Sequence, residues 1–220
     1  MGEYNLHFGK DYFVHLKYSE KEQLISSHIF ESLTWASKHA GMDLMGGTGK
    51  SALDVGCASG YGVSLLRSLG YDSWGTDVSS YGLLQGKEKL KENVFVASDA
   101  QNLPFSRRFD LVTSFEVLEH LEHPLKALHD LYDSTRCILL CTTPNRTFER
   151  ITKRLLKGFD KTHINVKTPK EWSELIRKNL QCRFIKIQSF VDVSFQVRST
   201  SFYRSFKLPF GMETRILICK

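Results

Sequence analysis

A chain of 220 residues, 41% hydrophobic and 25% charged, has the composition of an ordinary globular domain and excludes disordered and fibrous classes. Charges interrupt every apolar run before the roughly 20 residues a bilayer span needs, and Met1-Gly2-Glu3-Tyr4 lacks the basic-then-apolar plan of a secretory leader, so a cytoplasmic protein without an integral membrane segment is expected. The net charge of +6 is uneven: residues 146–220 hold 17 Lys and Arg against 6 Asp and Glu, a net of +11, which suits an acidic substrate, nucleic acid or an anionic surface as well as a plain solvated face.

The five cysteines, Cys57, Cys137, Cys141, Cys182 and Cys219, are odd in number and form no Cys-x-x-Cys pair, which argues for reduced thiols rather than disulfides or structural zinc. At the N-terminus, Tyr4, His7, Phe8, Tyr12, Phe13, His15 and Tyr18 suit either a lid over a ligand or an arm packed on the body. Ser19-Glu20-Lys21-Glu22 reads as a capping box, followed by Leu24, Ile25, Ile29, Leu33 and Ala36 at helical spacing. Residues 1–45 are therefore expected to form a helical arm, and a Gly-rich linker from Gly41 to Gly49 leads into the main domain, 46–220.

Three strands and two helices then alternate. Ser51 to Asp54 is a strand, Gly60 to Leu69 a helix, Tyr71 to Thr76 a strand, a helix capped by Ser79 or Ser80 runs to about Lys91, and Asn93 to Ala97 is a third strand. This alternation demands a parallel sheet with right-handed crossovers. Phe109 to Phe115 is a fourth strand, Pro124 opens a helix, and Cys137 to Thr142 is a fifth strand. Thr168-Pro169-Lys170-Glu171 is a second capping box, before the helix of Trp172, Leu175, Ile176 and Leu180. Phe184 to Val191 and Arg215 to Cys219 make a closing antiparallel pair, with a long loop or insertion at about 192–212.

Asp54-Val55-Gly56-Cys57-Ala58-Ser59-Gly60 is the chemical centre of this plan. It joins an apolar strand to a helix through a glycine turn, the pattern that cradles nucleotide-like ligands. Asp54, Asp77 and Asp99 each stand after one of three successive strands, so their carboxylates converge on one edge of the sheet. A carboxylate after the second strand can accept from both hydroxyls of a ribose, and Asp77 occupies that place.

With these residues, Gly75-Thr76-Asp77, Ser98-Asp99-Ala100-Gln101-Asn102-Leu103-Pro104-Phe105, Phe109-Asp110-Leu111-Val112, Val117-Leu118-Glu119-His120-Leu121 and Thr143-Pro144-Asn145 complete a set. Over about residues 50–190 it resembles the class I S-adenosylmethionine-dependent methyltransferases, most of all the small-molecule branch that includes the ubiquinone-type O-methyltransferases. The resemblance implies an α/β, doubly wound Rossmann-like sheet in the order 3-2-1-4-5-7-6 with strand 7 antiparallel. It also implies S-adenosyl-L-methionine as cofactor, with Gly56 and Gly60 admitting its methionine part and Asp77 holding the ribose. Asp99 and the Ala100 amide would then read the adenine, and Asp54 with Phe115 and Glu116 would lie near the ammonium. Cys57, Ala58 and Val78 complete the expected cofactor contacts. Ala58 stands where the family commonly has glycine, which matters if that position needs positive φ.

The sulfonium methyl needs only an aligned nucleophile and, for a hydroxyl acceptor, a base; His120, His123, His163 and Glu119 are the candidates. Glu116-x-x-Glu119-His120 with His163 also resembles the metal motif of small-RNA 2′-O-methyltransferases, so a metal-free hydroxyl transfer to a small molecule competes with metal-assisted transfer to RNA. A cofactor-binding regulatory protein without transferase activity is the third reading. Gly56-x-x-x-Gly60-x-Gly62 with Tyr203-x-x-x-Lys207 mimics short-chain dehydrogenases, but that Tyr and Lys would need a long helix, which Pro209 and Gly211 oppose.

Overall fold

Ala52 and Leu53 point to opposite faces of their strand and both are fully buried, so the strand needs apolar cover on each side. A computed structural model, which describes residues 8–155, 162–197 and 200–220, supplies that cover as three layers. The middle layer is one sheet built from β1 (Ser51–Val55), β2 (Asp72–Asp77), β3 (Phe95–Ala97), β4 (Phe109–Phe115), β5 (Thr135–Pro144), β6 (Phe184–Val197), β7 (Thr200–Lys207) and β8 (Glu213–Cys219). Their order is β3-β2-β1-β4-β5-β8-β6-β7, with β1 to β5 parallel and β8 antiparallel to both β5 and β6.

On one face, Leu53, Val112, Leu139, Ile216 and Ile218 pack beneath α5 (Pro124–Asp133) and α7 (Pro169–Asn179), which contribute Leu128, Leu131, Trp172 and Ile176. On the other, Ala52, Leu111, Ile138, Leu140 and Leu217 pack beneath α2 (Glu22–Ala40) and α3 (Tyr61–Ser68), through Ile29, Leu33, Ala36 and Leu66. The two sets interleave along each strand, as a doubly covered sheet requires. Beside α3, α4 (Ser80–Leu90) packs Leu83 against Val63, Val94 and Phe95.

The expected sheet order holds for seven strands, the predicted seventh being β8, and the structure adds an eighth. The segment read as a long loop at 192–212 instead extends β6 to Val197 and returns as β7, with Val191 opposite Phe206 and Val193 opposite Arg204. Alternating Val191, Val193 and Phe195 carry the strand period; the many serines masked it. Tyr203 and Lys207 therefore lie on a strand, which removes the dehydrogenase pairing.

Helix starts follow the capping chemistry in two cases and not in a third. Thr168 and Glu171 make the reciprocal capping box, and Ser79 accepts from the Gly82 amide. The box expected at Ser19 does not form: Tyr18–Lys21 is a 3-10 turn, and α2 begins at Glu22 without a side-chain cap. Two further helices, α1 (Lys10–His15) and α6 (Arg146–Leu155), were not foreseen; both are short and α6 is mostly polar.

Leu33 is wholly buried between α2 and the sheet. Leu33→Ala is expected to remove about 2–5 kcal/mol of stability, read as a shift in urea midpoint. A loss below about 0.5 kcal/mol would show that α2 is peripheral to the core.

Candidate active site

The strand ends of β1, β2 and β4 meet at one edge of the sheet, and the β1–α3 turn is shaped there by backbone conformations few residues adopt. Gly56 has φ +77°, and a Cβ added to it would lie 2.1 Å from Val117 Cγ2, so only glycine lets the turn approach the β4 side. Ala58 has φ +48°, the left-handed region, so the condition raised by its sequence applies to it. Asp77 holds this turn: Oδ2 accepts from the Ala58 amide at 2.8 Å and Oδ1 from the Ser79 amide at 2.7 Å.

A cavity of about 330 Å³ opens over this turn. Gly56, Ala58, Asp77, Val78, Asp99, Ala100, Phe115, Glu116, His120 and His163 all line it, so ten of the sequence-derived residues come together. Asp99 Oδ1 accepts from the Gln101 amide at 2.8 Å, which leaves the carboxylate at the cavity wall. The N-terminal segment closes the top: Phe8, Tyr12, Phe13, Leu16 and Tyr18 line the same space, and Ser79 Oγ donates to the Phe8 carbonyl at 2.6 Å. His15 is exposed, and Tyr4 and His7 lie outside the described residues.

A second cavity, of about 400 Å³, adjoins the first and shares Tyr18, Ile25, Gly56, Phe115 and Glu116 with it. Asp54 and Cys57 line this one, with His28, Asp192, Tyr203 and Glu213. Asp54 is 4% exposed; its Oδ1 accepts from Thr113 Oγ1 at 2.7 Å, and burial pushes its pKa up to about 7. Burial likewise raises Asp77, against the pull of its three backbone hydrogen bonds. Two carboxylates whose pKa burial raises, in neighbouring walls, make a site fit for a cationic ligand, which would offset the cost of burying their charge.

Three of the expected residues lie elsewhere. Gly60 lines neither cavity; it begins α3 with φ +76°, packed against Phe95. His123 is exposed, and its amide donates to Gln101 Oε1 at 3.0 Å. Glu119 is fully buried and faces neither cavity, with burial and then Glu116 pushing its pKa well up. Its carbonyl accepts from the Ile164 and Asn165 amides at 2.9 and 2.8 Å, which sets the neighbouring His163. His163 Nδ1 bonds Glu149 Oε1 at 2.7 Å, and its ring lies 4.8 Å from that of His120.

The four residues of the metal-assisted alternative are divided. Among the described residues, Glu119, His120 and His163 bring one ligand atom each within 4.8 Å of one another, whereas Glu116 groups with His28 and Glu213. Sequence reasoning missed His28, Glu149, Asp192 and Glu213, since no local spacing joins them: His28 Nδ1 meets Asp192 Oδ2 at 2.8 Å across 164 residues.

Comparison with known proteins agrees with this geometry. A family model described as a methyltransferase domain matches residues 34–179, well over half of the chain. The chain belongs to that family, the class I S-adenosylmethionine-dependent methyltransferases, whose cofactor is S-adenosylmethionine. It is 32% identical over 104 residues to a ubiquinone biosynthesis O-methyltransferase from Paraburkholderia phymatum, covering 44% of this chain and 42% of that protein. The chain thus spans less than half the length of the curated relatives it matches. In fold it is similar to an S-adenosylmethionine-dependent methyltransferase from Archaeoglobus fulgidus, with a TM-score of 0.68 at 18% identity over 96% of this chain and 100% of that one. The plantazolicin methyltransferase BamL, solved with S-adenosylhomocysteine, gives 0.70 at 16% identity over 96% of this chain and 91% of its own. Among the described residues no helix is long and apolar enough to cross a membrane.

The turn itself offers a test that needs no ligand. Ala58→Gly relieves the left-handed strain of about 1–2 kcal/mol and adds about 0.5–1 kcal/mol of unfolded-chain entropy. A rise in melting temperature of a few degrees is expected by calorimetry. A fall would mean that the Ala58 methyl packs to more effect than its backbone is strained.

Proposed function

We propose that the protein transfers the methyl group of S-adenosylmethionine to a hydroxyl of a small molecule. The observation that carries this reading is the imidazole pair His120 and His163 on the wall of the cavity that Asp77 and Asp99 also line, with His163 oriented by Glu149. The ubiquinone O-methyltransferase relatives support hydroxyl as the acceptor class. When bound, the cofactor supplies an electrophilic methyl on a positively charged sulfur.

The chain's own residues divide the remaining tasks. Asp77 accepts from the ribose hydroxyls with the edges of its oxygens not used by Ala58 and Ser79, since each carboxylate oxygen has two acceptor sites. Asp99 and the Ala100 amide meet the adenine edge between Val78 and the aromatic cover. Gly56 leaves its backbone bare toward the methionine part, and Asp54 with the Phe115–Glu116 segment faces the ammonium. His163, its Nδ1 turned to Glu149, presents Nε2 to take the acceptor proton, and His120 lines the same wall. Glu119 acts as a positioning residue, through the main-chain bonds that fix residues 164 and 165. The N-terminal arm serves as a lid: Phe8, Tyr12 and Phe13 exclude water from the reacting groups.

Incubation with methyl-labelled S-adenosylmethionine and separated cell fractions tests the reading. Label is expected in small metabolites, and Asp77→Ala should abolish both labelling and cofactor binding. Label in RNA would favour the RNA reading, and cofactor binding without label in any fraction would favour a regulatory protein. Either outcome overturns the proposal.

The raised acids add a pH test. Asp54 gains a proton on folding over the range between its unfolded value near 4 and its folded value of about 7, so its contribution to stability is present below pH 4 and is lost as pH rises toward 7. A cationic ligand favours the ionised carboxylate, so its affinity moves the other way and strengthens from pH 6 to pH 8. Calorimetry with S-adenosylhomocysteine, whose ammonium reports this, should show proton release near pH 7. Asp54→Asn should flatten the pH dependence; an unchanged slope would place the ammonium elsewhere.

A further inference from the structure

The second cavity carries an acid excess, of which the proposed methyl transfer uses Asp54 and Glu116, toward the ammonium, and leaves Asp192 and Glu213 without a task. Asp54, Glu116, Asp192 and Glu213 line it, whereas His28 is the imidazole on its wall. Arg215, 2% exposed, lies behind it, stacked over Phe190 and committed to Ser32 Oγ at 3.0 Å, Ser205 Oγ at 2.5 Å and Asp192 at 3.7 Å. Glu116 Oε1 and Glu213 Oε2 are both buried and neither has a hydrogen-bond partner. The nearby His28 Nδ1, 3.4 Å from Glu213 Oε2, already serves Asp192 at 2.8 Å. Asp54, nine-tenths buried, uses only Oδ1 in its hydrogen bond to Thr113. Orphaned carboxylate oxygens in a hollow large enough for ligands call for a cation.

His28 has the second contact that metal-binding histidines make. Its Nδ1 bonds Asp192, which also accepts from Tyr203 and Ser205, and its Nε2 faces Thr142 Oγ1 at 3.2 Å. These three bonds fix the Asp192 carboxylate as an anchor for the ring. A carboxylate on one ring nitrogen fixes the tautomer, and the other, here bonded to Thr142 Oγ1, would exchange that hydroxyl for a metal. One ligand atom from each of His28, Glu116 and Glu213 lies within 4.8 Å of the other two. Ligands about 2.1 Å from one ion sit about 3 to 4 Å apart, so closure by about an ångström suffices.

We propose that His28, Glu116 and Glu213 bind a divalent cation, Mg2+ or Mn2+, in the second cavity. Two carboxylates and an imidazole form a hard, mainly oxygen donor set on the wall of a cavity of about 400 Å³, which leaves room for water or an acceptor oxygen. The other group, Glu119, His120 and His163, is less suited: Glu119 is fully buried and lines neither cavity, so it offers an entering ion no open path. Glu116 Oε1 and Glu213 Oε2, both buried without a hydrogen-bond partner, are the oxygens an ion would pair with. An ion here would neutralise both and hold an oxygen of the acceptor beside the methyl. Only that last use rests on the proposed methyl transfer; the binding itself does not.

Mn2+ titrated into the full chain without cofactor, followed by electron paramagnetic resonance, tests the site. One saturable site is expected, with affinity lowered tenfold or more by either His28→Gln or Glu213→Gln and unchanged by His163→Gln. Absence of saturable binding, or its loss in His163→Gln but not in Glu213→Gln, overturns the proposal. If either His28 or Glu213 variant fails to fold, the wild-type chain decides through paramagnetic broadening: the His28 ring signals must vanish before those of His163, and the reverse order refutes the site. Failure of the methyl-transfer reading would appear separately, as absent label or absent S-adenosylhomocysteine binding.

Discussion

Asp77 spends both carboxylate oxygens on main-chain amides, Ala58 on one side and Ser79 on the other, and the cavity floor hangs from that pair of bonds. The first ties the β1–α3 turn to the end of β2; the second ties β2 to the start of α4. Gly56 and Cys57 add amide bonds of 2.8 and 3.0 Å to the Thr76 carbonyl, so the turn is fastened to β2 along its length. This explains how a chain with alanine at a left-handed position keeps the turn: the strain of about 1–2 kcal/mol is opposed by several hydrogen bonds, each worth about 1 kcal/mol or more with a charged acceptor. Only after the turn is fixed do Asp99, Phe115 and Glu116 share one space with it.

The sheet and the acids along its edge were legible in the sequence because they are local. Each strand ends in its acid within one or two residues, and a parallel sheet puts those ends on one edge, so Asp54, Asp77 and Asp99 could be brought together from spacing alone. Ser79 and the Thr168 box were legible for the same reason, since a cap acts over three residues. Ser19 failed because the preceding chain runs as a 3-10 turn from Lys17, which has φ +49°, so local backbone conformation competed with a four-residue motif.

The second cavity was not legible because it is assembled from distant parts of the chain. His28 comes from α2, Glu116 from the end of β4, Asp192 from β6, Tyr203 from β7 and Glu213 from the start of β8. No spacing rule spans such distances; the pairing follows from β8 inserting between β5 and β6, which brings Glu213 opposite Pro144 and also opposite Phe190. The hairpin missed in the sequence is thus also the element that carries Asp192 and Tyr203 into the site. One misread segment accounts for those two, whereas His28, Glu149 and Glu213 lie outside it.

Glu116 joins the two cavities, and its backbone shows how. With φ +54° it stands in the left-handed region without being glycine, at the step from β4 to the 3-10 turn Leu118–His120. Its amide donates to the Thr142 carbonyl at 3.1 Å, so the last rung of the β4–β5 ladder holds the residue in that conformation. An extended residue there would carry the chain straight on; the left-handed turn lets the side chain reach between the cavities while Val117 packs over Gly56. Strain of this kind persists where surrounding contacts over-determine it, and it concentrates at sites that bind or react. The same bend places His120 in the cavity that Asp77 lines and Glu116 beside His28, so one unusual dihedral distributes an imidazole to the first cavity and a carboxylate to both.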